Sequence, residues 1–185
     1  MRVISGIARG TKLYTLNGIK TRPTLDRIKE SLFNIITLKV KDSNVLDLFS
    51  GSGALAIEAL SRGASYAVLC DFSKDAIEII NKNIEKTRLN KKSTIKKMDY
   101  KKCLQMLETS NSKFDIIFLD PPYDTDYIYK ATKLILEYEL LNKNGIIIAE
   151  TDDLDRILSE INSLDINVKD IRKFGRVKLL FLEES

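Results

Sequence analysis

Between Asn44 and Ile161 one unit recurs five times, a short apolar run followed by an amphipathic segment. NVLDLF (44–49), YAVLCDF (66–72), STIKKM (93–98), FDIIFLD (114–120) and GIIIAE (145–150) read as strands. ALAIEALSRG (54–63), SKDAIEIINKNIEKTRL (73–89), YKKCLQML (100–107), TDYIYKATKLILEYELL (125–141) and DDLDRILSEI (152–161) read as helices. Apolar strands need cover on both faces, and helical crossovers make successive strands parallel. INVKDIRKF (166–174) and RVKLLFLE (176–183) are separated only by Gly175, which requires an antiparallel hairpin. The expected fold class is α/β: a doubly wound, seven-stranded, mostly parallel sheet ending in an antiparallel hairpin. Ligands of such sheets bind outside the carboxyl ends of the strands, where the strand order reverses.

Ahead of this pattern, RVISG (2–6) and TKLYTL (11–16) read as two short strands around Arg9-Gly10. TRPTLDRIKESLFNII (21–36) reads as a helix with Thr24 as N-cap and an apolar stripe of Leu25, Ile28, Leu32, Ile35 and Ile36. The expected division is a small hairpin-and-helix extension over residues 1–41 and a main domain over 42–185. A chain of 185 residues, 44% hydrophobic and 30% charged, is large enough to bury a core without disulfides or metals. The absence of histidine excludes Ser-His and Cys-His catalysis and HExxH zinc chemistry. Cys70 and Cys103 form no CxxC, so no zinc ribbon, disulfide framework or other metal site is expected. MRVISGIARG has no apolar leader region, and no apolar run approaches the roughly 18 residues of a membrane span. A cytoplasmic monomer without membrane contact is therefore expected.

The net charge of +4 is unevenly spread. Residues 1–41 and residues 81–102 each carry +7, and the rest of the chain carries −10. Two basic blocks point to a polyanionic partner, although a lysine-rich helix face is often merely solvated. The N-terminal block is the more suggestive, because Arg2, Arg9, Lys12, Lys20, Arg22, Arg27 and Lys29 lie so close in sequence. Arg2, Arg9, Lys12, Arg22 and Arg27 are the candidate contacts to such a polyanion.

Asp47-Leu48-Phe49-Ser50-Gly51-Ser52-Gly53-Ala54-Leu55-Ala56 runs from strand into helix. Gly51, Gly53 and Ala56 fit G-x-G-x-x-G/A, and Asp71 follows 20 residues after Gly51. Small residues let a ligand approach the backbone, and the helix start offers free N–H donors. Asp71 can accept both ribose hydroxyls of an adenosine, or it can serve the N-cap region of the next helix. A carboxylate at Asp47 would repel a pyrophosphate and suit a cation, which favours the sulfonium and ammonium of S-adenosylmethionine over NAD. Asp99 can bind an adenine amino group or cap the helix that starts near Tyr100.

Asp120-Pro121-Pro122-Tyr123 follows the fourth strand. Two prolines fix the backbone and remove two N–H donors. Asp120 and the Pro121 carbonyl can accept from an exocyclic amine, while Tyr123 stacks on the base that carries it. Accepting those hydrogens draws the nitrogen toward sp³ and aims its lone pair at a methyl donor, so no strong base is needed. The plainer alternative, a rigid turn that stops a strand, loses ground because the motif sits where the ligand crevice should open.

With these pieces the chain resembles the class I S-adenosylmethionine-dependent methyltransferases, and more narrowly the bacterial 16S rRNA guanine-N2 methyltransferases of the RsmD type. RVISGIARGTKL, TRPTLDRIKESLFNII, VLDLFSGSGALAIEALSRGA and FLDPPY carry the resemblance over nearly the whole chain. It implies a Rossmann-like methyltransferase domain at 42–185 and an RNA-contacting extension at 1–41. It implies methyl transfer from S-adenosylmethionine to the N2 amine of a guanine in 16S rRNA, on a partly assembled small ribosomal subunit. Asp47, Phe49, Ser50, Gly51 and Gly53 would line the methionine end, Asp71 the ribose and Asp99 the adenine. Asp120, Pro121, Pro122 and Tyr123 would hold the target base, and Arg22-Pro23-Thr24 would lie near the site. Several relatives carry Glu at the position of Asp71, and often Phe at that of Tyr123. Three rivals share some of these features: an adenine-N6 methyltransferase, an NAD-linked oxidoreductase and a non-catalytic RNA-binding factor. The two N-terminal segments argue against the first, Asp47 against the second and the intact Asp-Pro-Pro-Tyr turn against the third.

Overall fold

The computed structural model describes residues 1–16 and 23–185. The central strand β1 (Asn44–Asp47) pairs in parallel with β2 (Tyr66–Asp71) on one side and with β4 (Phe114–Leu119) on the other. Beyond β2 lies β3 (Ser93–Lys97), and beyond β4 lies β5 (Leu141–Thr151), both parallel to their neighbours. β7 (Val177–Glu184) runs antiparallel to β5, and β6 (Ile166–Phe174) runs antiparallel to β7 at the edge. The order of the seven-stranded sheet is β3-β2-β1-β4-β5-β7-β6, so the chain reverses direction across the sheet between β1 and β4. This is the architecture expected from the alternation.

Successive strand residues point to opposite faces, and each face has its own cover. α1 (Pro23–Ile35), α2 (Thr37–Val40), α3 (Ala54–Ser61) and α4 (Lys74–Thr87) bury Phe33, Val40, Ile57, Leu60 and Ile80 against Val45, Leu69, Phe118 and Ile148. α5 (Tyr100–Thr109), α6 (Tyr127–Glu137) and α7 (Leu154–Ile161) bury Leu104, Leu107, Ile135 and Ile157 against Leu46, Val68, Ile117 and Ile147. Among the described residues, no helix is long and apolar enough to cross a membrane.

Several boundaries differ from the sequence expectation. β1 stops at Asp47, because Leu48 and Phe49 already lead into the glycine turn. β3 is half-buried rather than apolar on both faces, as its place at the edge of the sheet allows. α6 ends at Glu137 rather than Leu141, since Glu139 takes φ +49° and the Leu140 N–H closes onto the Ile135 carbonyl at 2.9 Å. That release lets β5 begin at Leu141, with a slipped register between the Phe114 and Ile116 pairings. α1 begins at Pro23, which places Thr24 inside the first turn rather than at the N-cap; proline suits the first helical position because its missing N–H would be unpaired there anyway. Ile35 lies off the buried stripe, 38% exposed, and Phe33 is fully buried instead.

The two expected N-terminal strands shrink to a single antiparallel bridge, Arg2 with Lys12. The reason lies in α3. The Ile4 and Ser5 amides donate to the Glu58 carboxylate at 2.8 and 3.0 Å, and the Ile7 amide donates to the Ser61 carbonyl at 2.8 Å. Backbone donors committed to a helix cannot extend a ladder. Glu58 also meets Lys29 Nζ at 2.9 Å and Arg62 Nε at 2.8 Å, in a site closed to solvent. Burial works to raise the Glu58 carboxyl, but the Lys29 charge and these donors prevail and hold it below the usual range. Burial lowers the Lys29 ammonium more than Glu58 restores it.

Candidate active site

A cavity of about 720 Å³ opens at the carboxyl ends of the parallel strands, where their order reverses. The glycine turn forms its floor. Gly51 and Gly53 take φ +54° and +76°, the left-handed region that favours glycine. A Cβ on Gly53 would meet Leu69 Cδ2 at 3.0 Å, so this position is restricted by space as well as by conformation. The Gly51 amide donates to Asp71 Oδ2 at 2.9 Å, and Asp71 Oδ1 accepts the Ser73 amide at the same distance. Asp71 therefore ties the glycine turn to the N-cap region of α4 while also lining the cavity.

Asp47 lies beneath the turn rather than at its mouth, only 2% exposed. Its Oδ2 accepts the Ala56 amide at 3.3 Å, and the Ser50 hydroxyl donates to its backbone carbonyl at 2.7 Å. Burial, opposed by the Ala56 amide and assisted by the Asp71 charge, pushes the Asp47 carboxyl up to about 7. A buried carboxylate this poorly compensated calls for a cation. Phe49 stacks on Tyr127 at 6.0 Å and packs against Tyr100 at 5.3 Å, forming an aromatic wall. Asp99 Oδ1 accepts the Lys101 amide at 2.9 Å and caps α5, yet the residue also lines the cavity. The capping role is realised, and the position remains compatible with an adenine contact.

Asp120, Pro121, Pro122 and Tyr123 line the same cavity as Asp47, Asp71 and the glycine turn. Asp120 is exposed where it lines the cavity. Desolvation by the surrounding protein, then the Glu150 and Asp47 charges, raise its carboxyl above the usual range. The turn is braced from α7: Arg156 Nη2 donates to the Tyr123 carbonyl at 2.7 Å and Nη1 to the Thr125 carbonyl at 2.8 Å. Thr125 Oγ1 donates to the Pro122 carbonyl at 2.7 Å. The Tyr123 hydroxyl donates to Glu150 Oε1 at 2.7 Å, and burial together with this partner pushes the phenol up.

Glu150 and Arg156 are absent from the sequence-derived site. Glu150 carried a signal: like Asp47, Asp71 and Asp120, it is an acid at the carboxyl end of an apolar strand. Arg156 carried none: besides its local ion pairs with Asp153 and Glu160, the groups it holds on the turn are backbone carbonyls more than 30 residues away.

The N-terminal segment supplies another wall through Met1, Thr15 and Leu16. It is pinned by Asn83 of α4, which is fully buried. Asn83 Oδ1 accepts the Tyr14 amide at 2.8 Å, while Nδ2 donates to the carbonyls of Tyr14 at 3.0 Å and Ser52 at 2.9 Å. One side chain thus links the N-terminal wall to the glycine turn. Of the basic block, Arg2, Arg9, Lys12 and Arg27 are exposed. Lys29 is not part of that surface: it is buried against Glu58 and donates to the Arg2 carbonyl at 2.6 Å. Lys20 and Arg22 lie outside the described residues.

The family model described as Conserved hypothetical protein 95 matches residues 1–183. A Bacillus subtilis protein named "Putative rRNA methyltransferase YlbH" is 40% identical over 152 residues, covering 82% of this chain and 83% of the relative. Ribosomal RNA small subunit methyltransferase D of Haemophilus influenzae is 34% identical over 154 residues, covering 82% of this chain and 79% of the relative. A solved Escherichia coli structure, "Putative methyltransferase yhhF", superposes with a TM-score of 0.83 at 26% identity, covering 100% of this chain and 97% of the other. The sheet order and the glycine turn at its reversal point are thus those of the Rossmann-like class I methyltransferase fold. The chain belongs to the Conserved hypothetical protein 95 family, together with the proteins named ribosomal RNA small subunit methyltransferase D.

Proposed function

We propose that this chain methylates 16S rRNA of the small ribosomal subunit with S-adenosylmethionine, and that the acceptor is the N2 amine of one guanine, presented on an assembly intermediate. One observation carries the reading. The Asp-Pro-Pro-Tyr turn and the glycine turn with its buried Asp47 line a single cavity, so an amine holder and a cation holder face the same space. Small-subunit methyltransferase D relatives support the rRNA substrate, and a more distant methyltransferase of the same fold was solved with S-adenosylhomocysteine.

The residues fit the methyl donor. Asp47 offers negative charge that the protein leaves poorly compensated, as a sulfonium and an ammonium require. Asp71 and Asp99 line the same cavity, where on this reading they take the ribose and the adenine. Bound there, S-adenosylmethionine supplies an electrophilic methyl group that leaves sulfur as the N–CH₃ bond forms.

Asp120 and the Pro121 carbonyl accept the amine hydrogens and so direct the nitrogen lone pair at the methyl carbon. As nitrogen gains the methyl group it becomes acidic, and its proton passes to Asp120 or to water. The Tyr123 ring forms a wall on which the base can stack, returning roughly 1–3 kcal/mol of the extrusion cost. Arg156 holds the turn rigid, which preserves the attack geometry. Arg2, Arg9, Lys12 and Arg27 engage phosphates from the extension over residues 1–41, and the exposed lysines of α4 and β3 offer a second basic surface.

The test is labelled-methyl transfer into small subunits from cells that lack this protein, followed by digestion to nucleosides. N2-methylguanosine in 16S rRNA is expected. N6-methyladenosine, or no transfer into any subunit intermediate, overturns the reading.

A further inference from the structure

The unassigned group in the cavity is Glu150. Leu119 of β4 pairs with Ala149 of β5, so Asp120 and Glu150 are the next residues on adjacent strands. Strand alternation also sets their facing. Phe118 and Ile148, two residues earlier, both pack on the α1/α3/α4 side, as does Val45, two residues before Asp47. Asp47 ends β1, Asp120 follows the last residue of β4 and Glu150 is the penultimate residue of β5, so the three acids sit on neighbouring strands at one end of the sheet and share one face, and Asp120 feels the charge of both others. Adjacent strands lie about 4.8 Å apart, so the two side chains enter the cavity from neighbouring backbones.

Glu150 lines the cavity with one oxygen held by the protein. Its Oε1 accepts the Tyr123 hydroxyl at 2.7 Å, and no donor among the described residues reaches Oε2. We infer that Glu150 is the specificity determinant of the site: beside Asp120 at the N2 amine, its free Oε2 accepts the N1–H of the target guanine. The inference rests on the guanine reading above and deepens it. Guanine presents adjacent N1–H and N2–H₂ donors, which match two acceptor carboxylates. Adenine presents its amine beside the N1 lone pair, and a carboxylate facing that lone pair is repelled. The Asp120–Glu150 pair therefore selects guanine by pairing one edge and rejecting the other. Burial raises the Glu150 carboxyl as well, so the two acids gain most from a ligand that brings two N–H donors.

The experiment compares guanine with 2-aminopurine at the methylated position of reconstituted small-subunit particles. 2-Aminopurine keeps the C2 amine but carries a lone pair at N1. The wild-type protein is expected to prefer guanine by at least about tenfold in kcat/KM. Glu150→Gln keeps an acceptor for Tyr123 and gains an amide N–H that can donate to N1, so its preference is expected to collapse to within about threefold of unity, with S-adenosylmethionine affinity within about twofold of wild type. A merely structural role for Glu150 would lower transfer to both bases alike. Equal transfer by the wild type to both bases overturns the inference even if the variant is inactive. So does a variant that retains the full preference. In either case a wild-type product of N2-methylguanosine leaves the proposed function standing, whereas N6-methyladenosine removes both.

Discussion

Lys29 Nζ and Glu58 Oε2 stand 2.9 Å apart, with side chains 4% and 0% exposed. The same carboxylate accepts the Ile4 and Ser5 amides, so one ion pair attaches the N-terminal segment to α3. Removing one partner of such a pair leaves a buried charge unmatched, which typically costs about 3–5 kcal/mol. Glu58→Gln should therefore lower stability by roughly that amount in a denaturant titration. Replacing both Lys29 and Glu58 with apolar residues of similar volume should recover much of it. A Glu58→Gln variant with an unchanged midpoint would show that the pair contributes little.

Asp47 gives a pH dependence with a defined sign. Its carboxyl sits near 7 in the folded protein and near 3.8 when exposed, so the folded state binds the proton more tightly. Its contribution is neutral below pH 3.8, grows more unfavourable as pH rises, and is complete above about 7. Asp47→Asn should stabilise the ligand-free protein at pH 8 by up to a few kcal/mol, on the order of 4 at most, and lose that advantage by pH 4. A cation beside Asp47 favours its ionised form, so wild-type S-adenosylmethionine affinity should rise with pH and level off above about 7, with proton release in calorimetry. The Asn variant should show weak, nearly pH-independent binding.

On the proposed function Asp120 holds the acceptor amine rather than the methyl donor. Asp120→Ala should reduce methyl transfer by about 10²-fold or more while changing S-adenosylmethionine affinity by less than about threefold. Single-turnover transfer and equilibrium binding separate these effects. Equal turnover would remove Asp120 from the chemistry.

Arg156 reaches the turn only through backbone carbonyls. Arg156→Ala should lower kcat by about tenfold or more through loosened geometry, with little change in cofactor binding. Arg156→Lys should recover only part, because a single ammonium cannot present two diverging N–H donors to the Tyr123 and Thr125 carbonyls.

Phosphate contacts leave a signature in salt dependence. Alanine at Arg2, Arg9, Lys12 or Arg27 should weaken binding to the substrate particle and reduce the slope of log K against log salt by about 0.7–0.9 per phosphate lost. An unchanged slope in any one variant would take that residue out of the interface.

The parts of this protein that were legible in the sequence are those whose causes are local. Strands covered on both faces must be apolar runs, so β1, β2, β4 and β5 showed themselves, as did Gly175 between β6 and β7. Asp47, Asp71 and Asp120 were legible because each sits in or beside a short motif that also fixes its backbone. Glu150 offered only an acid at a strand end with no motif around it, and Arg156 and Asn83 offered nothing, since the backbone groups they hold on the turn and on the N-terminal segment lie 33 and 69 residues away. Lys29 was misread for a related reason: a tally of charges cannot tell a surface lysine from one that faces a buried glutamate. The N-terminal strands failed because a side chain on α3 took the amides that a ladder would have used.

Asn83 holds Tyr14 and Ser52 with one amide group. Grafting the first sixteen residues of another protein onto this core would therefore exchange more than a basic surface segment. It would also recut the cleft that receives the small molecule, so the two surfaces must be redesigned together or left alone.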